Sequence, residues 1–460
     1  MNKKIFSLNN NQFIIAKIGG TSVANFEAMN NCANIIYNNK NIRIVIVSAS
    51  AGITNLLIKL SEGCKKNKRI QLLQKITNIQ YNIINKLKIT NLINKKINLL
   101  LKNIINLSEQ ATLKTSNELT DEIVCYGELM STLLFVEILK QRNISSQWFD
   151  IRNIMKTDEN FGQAKPKITY LKQLAKQQLF PILKKSLIIT QGFIGQDQKG
   201  RTTTLGRGGS DYTATLLAEA LKLSYVYILT DVPGIFTSDP NIVPNAKRID
   251  NINFNEAAEM ATFGAKILHP LTLLPVIRAN ISIFIGSSKN PELGGTIIDS
   301  NTKNFPKIIS LVIRRKQILL ILKNIKNIKK HIFLIKIFTI LSNHNIPIDF
   351  VTIIESNIII IINTVTYINK NNLINTLLLR ELSFLCNVKI EKNLSLITII
   401  GKNLSKVNKI RKKIINSLKL FKIRMINYGI DYNNIYLIIN ENDADNILRI
   451  LHNNLFEKIK

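Results

Sequence analysis

A chain of 460 residues holds enough material for two or three domains and a large core, and 46% apolar residues exclude a disordered protein. The net charge of +32 would ordinarily point to nucleic acid. Lysine, however, comes with heavy use of asparagine and isoleucine, as in 75–100, and no aromatic residues punctuate the basic runs as stacking platforms, so the charge reads as compositional drift and no nucleic-acid partner is expected.

The first residues, MNKKIFSLNNNQ, have the charge of a signal peptide without its apolar region. QFIIAKI (12–18) reads as a strand, and GGTSV (19–23) turns it into a helix from Phe26. Lys17 stands at the strand's end beside Gly19 and Gly20, whose N–H groups are expected to open to a ligand. The loop is neither a Walker A loop nor GxGxxG. A second strand, IRIVIVS (42–48), runs into the small-residue loop ASAGITN and another helix. Strand, loop and helix in repetition argue for a parallel sheet covered by helices, with ligands at the carboxyl ends of its strands. Lys17, Ser48 and Thr54 fall on that edge.

Residues 65–110 have a helical pattern and no evident chemistry. The helix from about Thr120 turns Glu122, Cys125 and Glu128 one way, and Glu128 follows Gly127 inside an apolar run. A paired structural glutamate and a ligand-facing one remain equal readings of it. SSQWFDI (145–151) is a further strand candidate with the only tryptophan.

LIITQGFIG (187–195) reads as one buried strand running into the loop 201–214, RTTTLGRGGSDYTA. The helix from Ser210 to Lys222 has Ser210 and Asp211 where a cap belongs. Between lie Gly206, Gly208 and Gly209, with Arg207 among them. Such a loop lets backbone N–H groups approach an anion, and the guanidinium fork suits a carboxylate or phosphate. YVYILTD (225–231) ends at Thr230 and Asp231, and a turn-rich loop through Pro233 follows. The helix 255–270 carries Lys266 near its end, where the helix dipole alone would favour a lysine. ISIFIGSS (281–288) and GGTII (294–298) are expected to close the sheet.

Near 300–306 the pattern changes. Strand 317–323, a helix to His344, strands 347–353 and 357–365, helix 370–385 and strand 387–390 are followed by a similar order to residue 457. This describes two βαββαβ-like units of about 70 residues with no catalytic cluster. Four scattered cysteines without CxxC imply neither disulfides nor a zinc site, and no apolar run reaches ~18 residues. A soluble, cytoplasmic protein with no membrane partner is expected.

Taken together, AKIGGTSV (16–23), SASAGITNLL (48–57), LTDEIVCYGELMSTLLFVEIL (119–139), ITQGFIG (189–195), GRTTTLGRGGSDYTATLLAEAL (200–221), TDVPGI (230–235) and AAEMATFGAKILHP (257–270) resemble the aspartokinases, specifically the lysine-sensitive monofunctional type. The later units resemble paired ACT domains more loosely. The resemblance implies an α/β fold: a mostly parallel sheet sandwiched by helices at 1–300, the amino acid kinase fold. Two α+β ACT-like units follow at 307–391 and 392–460. It implies transfer of the ATP γ-phosphoryl group to the β-carboxylate of L-aspartate, with Mg2+, as the first step of the lysine, threonine, methionine and diaminopimelate pathways.

By the same resemblance, Lys17, Asp211 and Lys266 are catalytic. Ser48, Thr54, Glu128, Phe193, Arg207 and Ser210 bind aspartate, Arg207 at its α-carboxylate and Glu128 at its ammonium. ATP falls to Lys17, Gly19, Gly20, Thr230, Asp231, Pro233, Phe236, Asn241 and Lys266, and no residue is assigned to metal. Phe236 stands where relatives usually have tyrosine and Asn241 where they have arginine, so weaker ATP binding is expected. Phe333, Asp349 and Glu355 match effector positions, and a homodimer through the ACT units is implied. Ile332 replaces a glycine there, Lys329 a histidine and Ile354 a serine, so inhibition by lysine is expected to be weak or lost. The competing reading is a catalytically impaired subunit or sensor that binds small molecules.

Overall fold

The computed structural model describes residues 13–88, 91–265, 268–300, 308–325, 328–355, 357–362, 374–402, 404, 407–428 and 433–456. They form two compact units. The first takes the described residues up to Ile235, Arg248–Thr262 and those from 268 to 300. The second takes Phe236–Lys247, Phe263–Ala265 and the described residues from 308 onward.

The first unit's strands begin with β1 (Ile14–Ile18), β2 (Ile42–Val47), β3 (Ser146–Phe149) and β4 (Leu187–Gln191). The hairpin β5 (Ile194–Gln196) and β6 (Thr202–Thr204) and then β7 (Tyr225–Thr230) follow. After β8 (Ile235–Phe236), where the chain leaves this unit, and β9 (Arg248–Ile249) come β10 (Asn251–Asn253), β11 (Ser282–Ser287) and β12 (Gly295–Asp299). Eight of them make one sheet in the order β10-β12-β11-β7-β1-β2-β4-β3. All neighbours pair in parallel except β11 with β12. The sheet therefore does not close at 294–298, because β10 adds one more strand beyond β12. Short and rich in asparagine, β10 gives no β-branched run to read.

The helices are α1 (Phe26–Asn38), α2 (Ile53–Ser61), α3 (Lys66–Ile84), α4 (Asn91–Leu113), α5 (Asn117–Val124), α6 (Tyr126–Gln141), α7 (Ile168–Leu174), α8 (Phe180–Leu183), α9 (Gly209–Leu221), α10 (Phe254–Thr262) and α11 (Pro270–Ala279). In β1 the side chains alternate, so Ile14, Ala16 and Ile18 join the core formed with α1 to α6. In α4 the buried residues Ile93, Ile97, Leu101, Ile104 and Ala111 recur at helical spacing and face that same core. The opposite face, with Ile15 and Lys17, meets α9. Lys17 pairs with Ile46 of β2 and Ile228 of β7 across the sheet, so β1, β2 and β7 end level. The loops after them share one edge.

The second unit is a six-stranded antiparallel sheet. Its strands are β13 (Ile308–Asn324), β14 (Ile348–Ile354), β15 (Asn357–Ile362), β16 (Cys386–Gly401), β17 (Ile423–Tyr428) and β18 (Asn434–Asn440), in the order β14-β15-β13-β16-β18-β17. Its helices are α12 (Lys330–Asn343), α13 (Thr376–Ser383), α14 (Asn408–Leu418) and α15 (Ala444–Phe456). The strand expected at 317–323 begins nine residues earlier, at Ile308. The charged triplet Arg314, Arg315, Lys316 hid its first half, although Arg314 is buried. β13 and β16 run side by side over most of their length, and residues 391 and 392 both lie inside β16. Two α/β repeats thus share one sheet.

Candidate active site

β1 delivers Lys17 to the carboxyl edge, and α9 begins opposite it. Gly208 caps α9 in a left-handed conformation (φ 73°), and the first turn is Gly209, Ser210 and Asp211. Ser210 and Asp211 are therefore first-turn residues and not the cap. The position still suits Asp211, because the positive end of the helix favours a carboxylate there. Its Oδ1 lies 2.7 Å from Lys17 Nζ, with the two side chains 15% and 12% exposed. An ion pair so largely withdrawn from water is a means of holding an ammonium group in place.

The run 187–195 is broken rather than continuous. β4 stops at Gln191, and Phe193 adopts φ 71° before the hairpin starts. A Cβ on Gly192 would meet Ser210 Cβ at 2.5 Å, and one on Gly209 would meet Phe193 Cδ2 at 2.7 Å. The Gly192–Phe193 turn therefore lies directly on the first turn of α9, and the backbone N of Phe193 donates to Thr213 Oγ1 at 3.1 Å. Arg207 is exposed on the loop before α9. A Cβ on the adjacent Gly208 would meet His269 Cβ at 2.4 Å. Burial, with the nearby Arg207 charge, lowers the pKa of that imidazole.

The loop after β2 is fastened to α6. Ser131 Oγ donates to Ser48 O at 2.8 Å, and Gly127 is pressed onto Ala49, where a Cβ would come within 2.8 Å. Glu128, on the first turn of α6, is buried. Its Oε1 accepts from Ala49 N at 3.2 Å, and its Oε2 has no hydrogen-bond partner among the described residues. Burial pushes its pKa up to about 8, against the pull of the Ala49 N–H. A buried carboxylate oxygen without a donor is costly unless a cation comes to it. This orphan oxygen fits the ligand-facing reading of Glu128, and sequence alone carries no signal of it.

Behind Glu128 stands a support that the sequence does not disclose. Thr132 Oγ1 lies 2.8 Å from Glu128 O and receives Trp148 Nε1 and Gln191 Nε2, each at 3.0 Å. The ends of β3 and β4 thereby fix the first turn of α6. The only available hint is a lone tryptophan beside a strand.

The glycine pair departs from expectation in part. Gly19 N donates to Leu229 O at 3.0 Å, so that N–H is engaged within the sheet edge. A Cβ on Gly20 would meet Ala49 O at 2.7 Å, so the loop after β1 lies against the loop after β2. Thr54 is half-buried near the start of α2. Thr230 closes β7 and bonds to Asp231 at 3.1 Å, while Pro233 lies half-buried beyond it on the same loop. Lys266 lies outside the described residues, and the helix expected to carry it ends at Thr262, with Gly264 at φ 106°. No group of three or more His, Cys, Asp or Glu among the described residues could hold a metal ion.

Phe236 and Asn241 belong to the second unit, where Asn241 Nδ2 donates to Asp239 Oδ1 at 3.0 Å. The effector positions lie there too. Phe333 is a core residue of α12, Glu355 is exposed at φ 51° after β14, and the half-buried Asp349 forms an ion pair with the buried Arg314.

Residues 12–287 match the Amino acid kinase family. The chain is 50% identical to the lysine-sensitive aspartokinase 3 of Escherichia coli, over 97% of this chain and all of that one. It matches the crystal structure of E. coli aspartokinase III in complex with aspartate and ADP (R-state) with a TM-score of 0.90, and that of the same enzyme with lysine and aspartate (T-state) with 0.82. In both cases 97% of this chain and 100% of the other are covered, at 50% identity.

Proposed function

Because this chain belongs to the aspartokinases, within the amino acid kinase family, we propose that the cluster at the carboxyl edge of β1, β2 and β7 is its catalytic site. The reaction moves the γ-phosphoryl group of ATP to the β-carboxylate of L-aspartate, giving 4-phospho-L-aspartate and ADP. The observation that carries this reading is Glu128: a buried carboxylate with one oxygen that has no donor among the described residues. The substrate's ammonium group supplies what that oxygen lacks, and Arg207 takes the α-carboxylate with its planar fork. Ser48, Thr54, Phe193 and Ser210 are assigned to shape the aspartate pocket.

An aspartate β-carboxylate, with a pKa near ~4, is already ionised at neutral pH, so the site needs no strong base. Its task is alignment and neutralisation of charge on the transferred group. Lys17 answers the second need, held in place by Asp211, and Lys266 is assigned the same task. Thr230, Asp231 and Pro233 serve the nucleotide side. Asp211 and Asp231 are the carboxylates of the site besides Glu128; a Mg2+ ion would arrive on the nucleotide, and Asp211 would orient a water on it. When bound, the ion draws charge from the phosphate oxygens.

The same reading makes the second unit a dimerisation element in a cytoplasmic homodimer. Support comes from outer strand β14, which exposes Val351, Ile353 and Ile354, and from Ile335 and Phe338 on α12. No helix among the described residues is long and apolar enough to cross a membrane.

Purified protein with aspartate, MgATP and hydroxylamine is expected to form aspartyl hydroxamate. Succinate, which lacks the ammonium group, is expected to be a far poorer acceptor. Aspartate binding without hydroxamate would instead establish the impaired sensor.

A further inference from the structure

The geometry points to Asp121 as a positioning residue that sets the distance between the two ends of the aspartate clamp. The inference rests on the assignment of Arg207 and Glu128 to the substrate given above. Asp121 is on α5 and is 2% exposed, and its side-chain hydrogen bonds go to Gly162 and Thr204, neither of which is assigned to substrate. Its Oδ2 accepts from Gly162 N at 2.9 Å and from Thr204 N at 2.8 Å, and its Oδ1 accepts from Thr204 Oγ1 at 2.8 Å. Two segments far apart in sequence thus converge on one buried carboxylate.

Thr204 ends β6, just before the Arg207 loop. Its carbonyl accepts from Ala164 N at 2.8 Å, and a Cβ on Gly206 would stand 3.1 Å from Gly162 O. The Arg207 loop is therefore stacked on the segment 162–164, and Asp121 ties both to α5. A second tie sits one turn earlier on the same face. Glu118 accepts from Arg201 Nη1 at 2.9 Å, just before β6, and Arg201 also reaches Asp197 and Glu159. Helix α5 holds β6 at both ends.

The other direction from Asp121 leads to Glu128. α5 and α6 are parted only at Cys125, so Asp121 and Glu128 stand seven residues apart on nearly continuous helix. One carboxylate thereby joins the rigid support of the ammonium partner to the loop that bears the carboxylate partner. Burial pushes the Asp121 pKa up to about 6, against the pull of its three donors. A purely structural tie has no need of a buried charge, since an apolar pair of similar shape serves stability as well. A carboxylate fixes direction: it takes two N–H groups and a hydroxyl in set geometry.

The test compares Asp121→Asn with Thr204→Val in the full chain. Asparagine keeps the shape but turns an NH2 group towards N–H donors, and valine removes one hydroxyl bond. We measure KM for aspartate, KM for ATP, thermal melting, and amide hydrogen exchange over 160–164 and 202–208. Asp121→Asn is expected to raise the KM for aspartate about tenfold and Thr204→Val two- to threefold, roughly the worth of the hydrogen bonds each removes. The KM for ATP stays within about twofold on the same reasoning, and exchange quickens in both segments. An unchanged KM for aspartate in a folded Asp121→Asn protein overturns the inference, as does an equal rise in both KM values. Should Asp121→Asn not fold, Thr204→Val decides by the same two readings. If the wild-type protein failed to phosphorylate aspartate at all, the proposed function would fall, while unchanged exchange in both variants would separately remove the clamp.

Discussion

Each unit holds an acidic side chain largely out of water, Glu128 buried and Asp349 half-buried, and the two are treated in opposite ways. Asp349 of the second unit is paired with Arg314, itself 4% exposed, so both charges are answered from within. Glu128 of the first unit has one N–H on one oxygen and no donor among the described residues on the other. Both look alike in sequence: an acidic residue in an apolar stretch. The difference lies in whether the fold supplies the counter-charge. A satisfied pair marks structure or specificity of packing. On the function proposed above, the orphan oxygen of Glu128 is the place that the ammonium group of the substrate takes.

The sharpest way to break that contrast is at the phosphoryl end of the same site. Lys17→Ala is expected to lower kcat by about three orders of magnitude, since a charge placed where negative charge develops acts mainly on the transition state. The melting temperature should change little, because Lys17 is half-buried and its partner Asp211 retains the first turn of α9 around it. Turnover near wild type in the folded variant would remove Lys17 from the reaction.

Glu128→Gln tests the orphan itself. The variant is expected to raise the KM for aspartate about a hundredfold, the worth of a buried charge-assisted contact. Its pH dependence gives a second reading. The folded-state pKa of about 8 lies above the ordinary 4.5, so between these values the native protein holds a proton that the unfolded chain has released. Stability of the substrate-free protein therefore falls as pH rises from about 4.5 to about 8. Aspartate, bringing an ammonium group, needs the ionised form, so its KM should fall as pH rises from about 6 to about 8. Glutamine should flatten both slopes. A wild-type KM that stays constant over that range would mean that the ammonium sits elsewhere.

Arg207→Lys should have a smaller effect, about tenfold on the KM for aspartate and little on that for ATP. Lysine keeps the charge but cannot make the two-pronged contact. A shift in the KM for ATP instead would hand the loop to the nucleotide.

Much of the first unit is legible in the sequence because its signals are local. The glycines beside Lys17 and around Arg207, and the strand-loop-helix rhythm, place the sheet, its functional edge and most of the cluster. What stays hidden depends on packing between distant segments. The run LIITQGFIG reads as one strand because its residues favour strands. It breaks because Phe193 must take φ 71° for Gly192 to rest on Ser210, and nothing in its neighbours signals a left-handed phenylalanine. Asp121 reads as one more polar residue in a motif, since its partners are over forty and eighty residues away. In the second unit the first half of β13 escapes a sequence reading because Arg314 looks exposed until Asp349 is seen beside it.

That ion pair carries the last prediction, on the side of the comparison where charge is already answered. In lysine-sensitive aspartokinases the effector binds between paired first ACT units, and its ammonium needs acceptors. Asp349 is one of three residues here at matching positions, and its carboxylate is engaged by Arg314 in the same unit. An entering lysine must displace a guanidinium fork or accept a weaker partner, and Arg holds a carboxylate better than an ammonium can. The surroundings oppose it further. Lys329 adds like charge before α12, and Ile332 and Ile354 are exposed branched side chains where relatives have glycine and serine. Allosteric coupling is worth only about 1–3 kcal/mol, so the loss of one or two interactions suffices to erase it. Activity measured with aspartate near its KM is therefore expected to be half-inhibited only above about 1 mM lysine, where binding is worth no more than about 4 kcal/mol. Arg314→Met should not create strong inhibition, since it leaves the three replacements in place. Half-inhibition of the wild type well below that concentration would show that lysine outcompetes Arg314, and the contrast between an answered and an unanswered carboxylate would not separate structure from site.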